Sequence, residues 1–505
     1  MLQRRSFIAL STAGVSLAVL TRPASATGTE LAVAQFAETR DLASIDPMRS
    51  LDFTIPNSLI FDRLMGRDAD GKLVPGLATQ WERIAPTTWR LSLREGVRFH
   101  NGTPLTAADT AATLNYALVP ANNSLLRIQT SPLVRAEAPD ARTLLLHTGT
   151  PTGLLAELVA AVPTLQSAQL ADPAAPFRSR PVGSGPWRLE EWRPGERVSV
   201  VATGQHWQLP DPAFARIIVR SVPEASTRVA DLQSGGAGIA ADIPQALTAR
   251  AARGGARLVR QPGIRTQYLS FLFKPPFDNK LVRQAVYHGI DRQALRDAVW
   301  GELARPATGP VPPHMGGFVA AFPLSDFDPA RSRALLAQAG LTAPVPVEID
   351  VPPTELVTAQ VLQSQLAQAG FQVTVNPMES PGALLDPKRL AALDRGRMFA
   401  ITALDNHTHD AVRPYNAFYP AKGFLAGTLG YAADPGMDAA LDEYIRTEPG
   451  PAKLAASAKV LEIGKNSAPI VFLAYPDLVY GVAAAVEMPP TTLGHLDFRS
   501  LKVRG

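Results

Sequence analysis

The stretch that decides the fold is Leu77–Asp109, which reads LATQWERIAPTTWRLSLREGVRFHNGTPLTAAD. Its middle part alternates apolar and polar residues and places Trp89, Leu91 and Leu93 on one face. This period of two is typical of a half-buried β-strand. Further on, Asn101-Gly102 supplies the positive backbone angles that a tight turn requires. The stretch therefore predicts antiparallel strands joined by short turns.

A helix is predicted where this stretch ends. Thr106 followed three residues later by Asp109 is a variant of the capping box, which marks a helix N-terminus. Ala111, Leu114 and Leu118 then share one helical face. Strands followed directly by a capped helix are the first sign of an α/β chain.

The same stretch resembles a signature of the extracytoplasmic solute-binding proteins that serve peptide, nickel and opine ABC importers. Further segments match that family in the family's own order, which makes the resemblance more specific than one motif. These segments are LASIDP (42–47), IFDRLM (60–65), VGSGPW (182–187), RVADLQSG (228–235), PFDNKLVRQAVYHGID (276–291) and DPARSRALLAQAG (328–340). The resemblance implies an α/β periplasmic binding protein of type II, with two lobes, a hinge and an additional domain.

The N-terminus predicts export. Arg4-Arg5 precedes a mildly apolar run over 7–20, and Ala24-Ser25-Ala26 forms a small-residue cleavage site. The segment resembles a twin-arginine signal. The run is shorter than the ~20 residues that span a bilayer, so a signal peptide of residues 1–26, cleaved after Ala26, is favoured over a membrane anchor. We therefore expect a periplasmic protein.

Composition excludes several classes of protein. The chain has no cysteine, so it contains neither disulfides nor a lipid-attachment cysteine. From Thr27 onward, 46 Lys and Arg face 45 Asp and Glu, because Arg4, Arg5 and Arg22 belong to the signal. The basic residues are dispersed, and no aromatic stripe accompanies them, which argues against nucleic-acid binding.

Alternating helical and strand patterns predict an α/β fold across the rest of the chain. Helices are predicted over 280–290, 291–300, 328–339 and 354–369. Strands are predicted over 215–220, 269–273, 345–350, 371–375 and 470–474. The length exceeds what a single core usually supports, so two or three domains are expected.

The resemblance implies three domains, the first of them discontinuous. The chain would cross between lobes near Pro262–Gln267 and again near Pro469–Tyr475. Ligand would bind between the lobes, and closure would bury it. The implied ranges are 27–60, 180–265 and 470–505 for domain I, 61–179 for domain II and 266–469 for domain III.

The segment FAITALDNHTHDAVR, Phe399–Arg413, is the candidate for ligand recognition. Peptide-binding members of the family place an Asp at the end of a strand here to hold a peptide's α-ammonium, and Asp405-Asn406 matches that pair. A desolvated ammonium requires a charged acceptor, and such charge-assisted hydrogen bonds are strong. Backbone groups of Thr402 and Ala403 could extend the ligand as an added strand. Alternatively, Asp405 only caps a turn.

Two histidines in this segment are candidates for contacts to ligand or metal. His407 and His409, two residues apart, would face the same side of a strand and could bind a transition metal or a metal chelate. No third ligand follows at metal-site spacing, so a solvated pair is the favoured interpretation. We predict no cofactor and no resident metal.

Three arginines are candidates for a ligand carboxylate. They are Arg40, near the end of the first strand, Arg265, at the first crossover, and Arg413, after the histidines. Arg265 ranks first because of its place near the hinge.

The sequence predicts a monomeric substrate-binding subunit that captures a short peptide or peptide-like solute and delivers it to a membrane permease with its ATPase. The alternative is a binder of a metal chelate, opine or glutathione-type solute. A less favoured alternative is an exported metal-dependent hydrolase. No nucleophile elbow or phosphate loop supports catalysis, so the chain is not expected to be an enzyme.

Overall fold

The structure is a computed structural model that describes residues 30–35, 40–49, 55–172, 174, 176–379 and 381–504. The predicted signal segment, residues 1–26, lies outside them. None of the described helices is long and apolar enough to cross a membrane. Strands and helices alternate along the chain, which confirms the predicted α/β class.

The described strands, in chain order, are β1 (Glu30–Gln35), β2 (Met65–Arg67), β3 (Leu73–Pro75), β4 (Ala78–Ala85), β5 (Thr88–Leu93), β6 (Leu133–Glu137), β7 (Thr143–Thr148), β8 (Trp187–Arg193), β9 (Arg197–Ala202), β10 (Arg216–Ser221), β11 (Ile239–Ala240), β12 (Arg257–Gln261), β13 (Arg265–Phe271), β14 (Ala304–Pro306), β15 (Val345–Val351), β16 (Phe371–Pro377), β17 (Met398–Asp405), β18 (Ile470–Pro476), β19 (Leu478–Val482), β20 (Val486–Glu487) and β21 (Lys502–Val503).

The described α-helices are α1 (Arg40–Ala43), α2 (Ile55–Ile60), α3 (Ala107–Leu118), α4 (Leu126–Gln129), α5 (Leu155–Val159), α6 (Ser167–Ala171), α7 (Ala225–Gln233), α8 (Thr248–Ala251), α9 (Lys280–His288), α10 (Arg292–Val299), α11 (Pro329–Gln338), α12 (Leu356–Gln368), α13 (Pro381–Leu384), α14 (Pro387–Ala392), α15 (Val412–Phe418), α16 (Met437–Arg446) and α17 (Pro451–Ser467).

Three larger sheets organise these elements. A seven-stranded sheet has the order β12-β19-β11-β1-β10-β9-β8, and a four-stranded antiparallel sheet has the order β4-β5-β7-β6. A six-stranded sheet has the order β14-β18-β13-β17-β15-β16. We call the part built on the seven- and four-stranded sheets the first lobe, and the part built on the six-stranded sheet the second lobe.

The strand at the centre of the fold-deciding stretch folds as its pattern predicts. In β5, Trp89, Leu91 and Leu93 are all buried, and the residues between them are more exposed. Gly102 has a φ of +83° and donates its N–H to the carbonyl of Phe99 at 2.8 Å, which forms the predicted tight turn. Local sequence chemistry is therefore enough to specify this part of the first lobe.

The predicted helix start is also confirmed. Asp109 accepts a hydrogen bond from the Thr106 backbone N–H at 3.0 Å, and α3 begins at Ala107. In the second lobe, the four predicted helices correspond to α9, α10, α11 and α12, with ends shifted by at most two residues. The Asp291 side chain caps α10 by accepting from the backbone of Gln293 and Ala294.

The chain crosses between the lobes at two points. It leaves the seven-stranded sheet after β12 and enters the six-stranded sheet at Arg265, as expected. It returns at Asp477, between β18 and β19. The second crossing was expected near Pro469–Tyr475, but the buried apolar run of β18 pairs with β13 and β14 inside the second lobe. The division into three domains otherwise stays a prediction.

The hydrophobic cores follow the lobes, with one exception. One large cluster lies on the six-stranded sheet, and another joins the four- and seven-stranded sheets. Leu154 and Leu158 come from the first lobe in sequence but are buried in the cluster of the second lobe. Gly153 is so close to the backbone of Thr447 and Glu448 that an added Cβ would lie 2.8 Å away. The lobes are therefore in intimate contact at this edge.

Candidate functional site

The candidate recognition segment begins as a central strand of the second lobe. β17 pairs antiparallel with β13 and parallel with β15, and the last pair of its register sets Asp405 opposite Arg265. The structure describes the backbone of β17 throughout but not its side chains over 401–405. The two predicted ligand residues of opposite charge thus face each other in the register, at the point where the chain crosses between lobes.

A β-bulge lies next to this pair. Thr266 pairs with Leu404 and Tyr268 with Ile401, so Gln267 alone lies opposite Thr402 and Ala403. Bulges release backbone groups from regular pairing and are common beside binding sites. The predicted backbone contacts of Thr402 and Ala403 therefore lie where the sheet is irregular.

After Asp405 the chain turns, and the side chains over 406–410 are buried. Asn406 donates its amide to the Asp410 carbonyl at 2.9 Å, and the Thr408 hydroxyl donates to Asn406 Oδ1 at 2.7 Å. His409 has a φ of +54°, in the left-handed region. The side chain of Asn406 thus holds the loop together, a use that the sequence did not predict.

This turn corrects the predictions that His407 and His409 lie along a strand and that they form a solvated pair, since both side chains are buried. Both follow the end of β17 and occupy the turn, because the Asn406 amide closes it onto Asp410. Within the described residues, no three His, Asp, Glu or Cys side chains are grouped so as to hold a metal ion.

Burial changes the chemistry of the histidines around the turn. It lowers the pKa of His409 well below its usual value, and Arg67, His407, His495 and His314 lower this pKa further. Burial also lowers the pKa of His495 to about 3, with Arg63 and His407 acting in the same direction. His314, His407, His409 and His495, which come from three separate parts of the chain, therefore lie near one another.

Arg67 connects this turn to the first lobe. Its guanidinium donates to the Thr408 carbonyl at 2.9 Å, to the Gly71 carbonyl at 2.8 Å and to Glu157 at 2.7 Å. Gly71, with a φ of +83°, lies so close to the His409 ring that an added Cβ would be 3.1 Å from Nδ1. The first lobe therefore contacts the recognition loop directly.

On the second-lobe side, two buried charged residues, Asp410 and Lys453, lie next to the recognition loop. Asp410 accepts from the Tyr444 hydroxyl at 2.7 Å and lies 3.6 Å from the Lys453 ammonium. That ammonium lies 4.3 Å from the centre of the Tyr444 ring. Burial lowers the pKa of Lys453, while Asp410 and Glu157 oppose the change. Nothing in the sequence marks Lys453 as buried, so this group was not predicted.

A cavity of about 280 Å³ lies beside the Arg67 contact, and first-lobe residues form its wall except for His409 of the recognition loop. Asp62 is buried in its wall and accepts from His206 at 3.0 Å, Trp207 at 3.0 Å and Arg499 at 3.1 Å. Burial opposes ionisation of Asp62, but these partners outweigh it and hold the pKa below its usual range. His409 and His495 also line the cavity.

The remaining predicted residues are more dispersed. Arg265 is exposed at the start of β13. Arg413 is half-buried in α15 and acts electrostatically on Tyr268, whose pKa is raised mainly by burial. Arg40 is the first residue of α1, and its side chain is not described.

The chain is similar in sequence to known proteins. The chain is 30% identical to the glutathione-binding protein GsiB of Pectobacterium atrosepticum over 388 residues, which are 75% of this chain and 74% of the relative. It is 30% identical to GsiB of Salmonella typhi over 328 residues, 63% of this chain and 64% of that protein's length. The chain thus spans less than two thirds of the Salmonella relative.

Solved structures show the same fold at lower identity. DppA of Helicobacter pylori, in complex with the peptide STSA, superposes with a TM-score of 0.80 at 20% identity. The match covers 94% of this chain and 98% of the DppA chain. NikA of Staphylococcus aureus, in complex with Ni(L-His)2, gives a TM-score of 0.79 at 21% identity, with coverages of 94% and 100%.

The sequence profile of the bacterial extracellular solute-binding proteins, family 5 Middle, matches residues 72–423. That match covers most of the chain and includes the fold-deciding stretch and the recognition segment. This chain therefore belongs to the family 5 bacterial extracellular solute-binding proteins.

Proposed function

We propose that this protein is the periplasmic substrate-binding subunit of an ABC importer, and that it captures a short peptide or peptide-like solute between its lobes. Its signal would be removed after Ala26, and the monomer would deliver the solute to a membrane permease coupled to an ATPase. Because the family consists of solute-binding proteins, we expect saturable binding without chemical turnover.

The observation that carries the proposal is the pairing of Asp405 with Arg265 in the sheet register. A peptide with free ends presents an ammonium and a carboxylate, so its recognition requires a protein group of each charge. Asp405 would accept from the ammonium, and Arg265, whose guanidinium matches the planar carboxylate, would bind the other end. Both residues lie at a crossing between the lobes, where closure would remove water.

Other predicted residues would complete the site. The bulge at Thr402 and Ala403 offers backbone donors and acceptors that bind an extended ligand whatever its side chains. Arg413 and Arg40 would serve longer or more acidic solutes. Asn406 and His407 would act through the shape of the buried turn.

The names of similar proteins favour this solute class. The relatives at 30% identity bind glutathione, which is itself a modified tripeptide, and DppA of Helicobacter pylori was solved with a tetrapeptide. Peptide-like solutes with a free ammonium are therefore the first panel to test, with glutathione included.

The experiment is calorimetric titration of the chain from Thr27 with dipeptides, tripeptides and glutathione, each free and N-acetylated. Free peptides should bind, and N-acetylation should abolish binding because the ammonium is lost. Asp405→Asn should have the same effect, whereas Asp211→Asn, at an exposed site far along the chain, should bind like the wild type. Arg265→Gln should weaken the binding of peptides with a free C-terminus more than the binding of their C-terminal amides.

Two results would contradict the proposal. Equal binding of free and acetylated peptides would show that Asp405 does not bind the peptide's ammonium. If no member of the panel binds, the solute is not a short peptide. Turnover of a bound peptide that a chelator abolishes would favour the exported hydrolase.

A second candidate solute is a metal chelate, and one observation favours it. His409 is buried, lines the cavity, and its Nε2 has no hydrogen-bond partner among the described residues. A single imidazole nitrogen can complete the coordination of a nickel ion that small ligands already hold. NikA of Staphylococcus aureus was solved with such a nickel–histidine complex.

The chelate is tested by titrating Ni²⁺ with excess L-histidine into wild type and His409→Gln. Binding that requires both nickel and histidine and is lost in the variant would establish this candidate. If the variant binds like the wild type, His409 is not the metal contact.

A further inference from the structure

A second groove, distinct from the recognition segment, runs between the lobes. It has a volume of about 830 Å³, within the range of ligand-binding clefts. The first lobe contributes the end of α3, α4, the start of β6 and α5, and the second lobe contributes α15 and α16. We call it the basic groove and define it by Arg127, Lys422, Asp442 and Arg446 together with the apolar residues between them.

The charges of the basic groove are not balanced. Arg127, Lys422 and Arg446 are exposed cations, and Asp442 is the one carboxylate among its lining residues. In the described residues none of the three cations forms an ion pair, and Arg446 donates only to the backbone carbonyl of Asp442, at 3.0 Å. Three like charges around one depression repel each other and attract an anionic partner.

Nearby carboxylates are already engaged elsewhere. Glu443, beside Arg446, pairs with Lys459 at 2.7 Å, and Glu448 pairs with Arg83 at 2.7 Å. Glu137, at the end of β6, lies 3.3 Å from His147. Arg446 also lowers the pKa of Glu443, and Asp442 offsets one of the three cations, so the lining of the basic groove keeps a net positive charge.

The floor and rim of the groove are aliphatic. Val134 is a large apolar side chain with 58% of its surface exposed, and Leu133, Leu158 and Val412 are buried beneath the groove. Val134 thus gives the basic groove an exposed apolar surface against which the aliphatic side chains of a partner can pack.

Strand addition does not account for this surface. β6 is the edge strand of its sheet, but the Asn115 side chain donates to the Ala136 carbonyl at 2.8 Å and accepts from its N–H at 2.9 Å. The edge backbone is thus occupied in the middle of β6, and a partner has to be recognised through charge and apolar contact.

We propose that the basic groove is a docking surface for an acidic segment of a partner protein, with carboxylates that meet Arg127, Lys422 and Arg446 and with aliphatic side chains between them. The cations stand on both lobes, so several carboxylates along one chain fit them better than a single small anion. This surface is independent of the proposed solute site.

The test uses a hexapeptide of sequence Glu-Leu-Glu-Glu-Leu-Glu, with fluorescein coupled through an amide bond to its N-terminus and with an amidated C-terminus. The blocked ends keep it from satisfying the Asp405–Arg265 site, so this experiment and the solute titrations fail independently. Fluorescence anisotropy should show saturable binding at about 50 mM salt that weakens at about 300 mM. The matched Gln-Leu-Gln-Gln-Leu-Gln peptide should not bind.

The decisive variant is Arg127→Glu with Arg446→Glu, which should bind the acidic peptide about tenfold more weakly or worse. Arg253→Glu with Lys388→Glu makes the same net charge change at exposed sites outside the groove and should leave binding unchanged. Arg127→Lys with Arg446→Lys should retain binding of the acidic peptide, and circular dichroism checks that each variant folds.

The proposal is overturned if the wild type does not bind the acidic peptide at low salt. It is also overturned if the Arg127→Glu and Arg446→Glu variant binds this peptide as tightly as the Arg253→Glu and Lys388→Glu variant.

Discussion

The guanidinium of Arg67, in β2 of the first lobe, donates a 2.9 Å hydrogen bond to the backbone carbonyl of Thr408 in the recognition loop of the second lobe. The two residues are separated by most of the chain. The same guanidinium is bound by Glu157 and by the Gly71 carbonyl, so it is held in place before it meets the loop. This contact can exist only when the lobes are together.

Replacing Arg67 should therefore weaken solute binding without removing any group of the solute site. A hydrogen bond to a charged donor contributes about 1.5–3 kcal/mol, so Arg67→Met should weaken affinity roughly 10- to 100-fold. Most of the loss should come from faster dissociation, measured by stopped-flow fluorescence. Unchanged dissociation in Arg67→Met would show that the contact does not stabilise the closed lobes. Arg83→Met, which removes a more exposed ion pair with Glu448, is the control and should change little.

Lys453 should be needed for stability because it lies next to a buried carboxylate. Lys453→Met would leave Asp410 buried with only neutral donors, and losing one member of a buried pair costs about 3–5 kcal/mol. Urea unfolding should show this loss, and Lys453→Met combined with Asp410→Asn should recover part of it. Lys459→Met, in an exposed pair with Glu443, should change stability far less than Lys453→Met. A double variant as unstable as Lys453→Met alone would contradict the pairing.

The sequence predicted what depends on neighbouring residues. The alternation in β5, the turn at Asn101-Gly102 and the capping box at Thr106 are each encoded within a few positions, and all three form. The strand assignment of His407 failed because a single amide, that of Asn406, ends the strand by bonding to Asp410. Alternation alone does not reveal such a bond.

The contacts between the lobes could not be predicted, because they join residues far apart in sequence. Arg67 lies two residues after the motif 60–65, and Lys453 is one of nine lysines; no local pattern distinguishes either residue. Their importance comes from burial, which is decided by how the lobes pack. Family resemblance pointed to Asp405, and Arg265 was a candidate because of its place near the implied hinge, but their pairing in the sheet register was not predicted.

Acid should destabilise the protein through His495. Its pKa is lowered to about 3 by burial, so the folded form keeps this ring neutral where the unfolded chain, with a pKa near 6.5, takes up a proton. The unfolded state then binds more protons between these values, and stability falls as the pH falls from about 6.5 toward 3. At pH 5 the loss from this one group should be about 1–2 kcal/mol, allowing for its partial exposure.

The measurement is urea unfolding at pH 7 and pH 5 for wild type and His495→Asn. Asn keeps a donor near the Leu493 carbonyl, which His495 Nδ1 contacts at 3.0 Å, but it does not titrate. The variant should therefore lose less stability than wild type between the two pH values. An identical loss in both would show that His495 does not titrate differently on folding.

Gly71→Ala should separate backbone strain from contact between the lobes. The φ of +83° at Gly71 is unfavourable for alanine, and the new Cβ would lie 3.1 Å from the His409 ring and 3.4 Å from the Thr492 hydroxyl. Gly102 also has a φ of +83°, but a Cβ there would meet nothing within 4 Å. Both variants should lose about 1 kcal/mol of stability from the backbone, because left-handed angles disfavour any residue with a Cβ.

Only Gly71→Ala should impair function, because its methyl group pushes against the loop that carries His409. Solute affinity should fall in Gly71→Ala and stay unchanged in Gly102→Ala, as measured by calorimetry at matched temperature. Small-angle scattering of the solute-bound forms should show a more open Gly71→Ala protein. If the two variants bind solute equally well, the approach of Gly71 to His409 is incidental to closure, and the Arg67–Thr408 bond alone would have to hold the first lobe to the recognition loop.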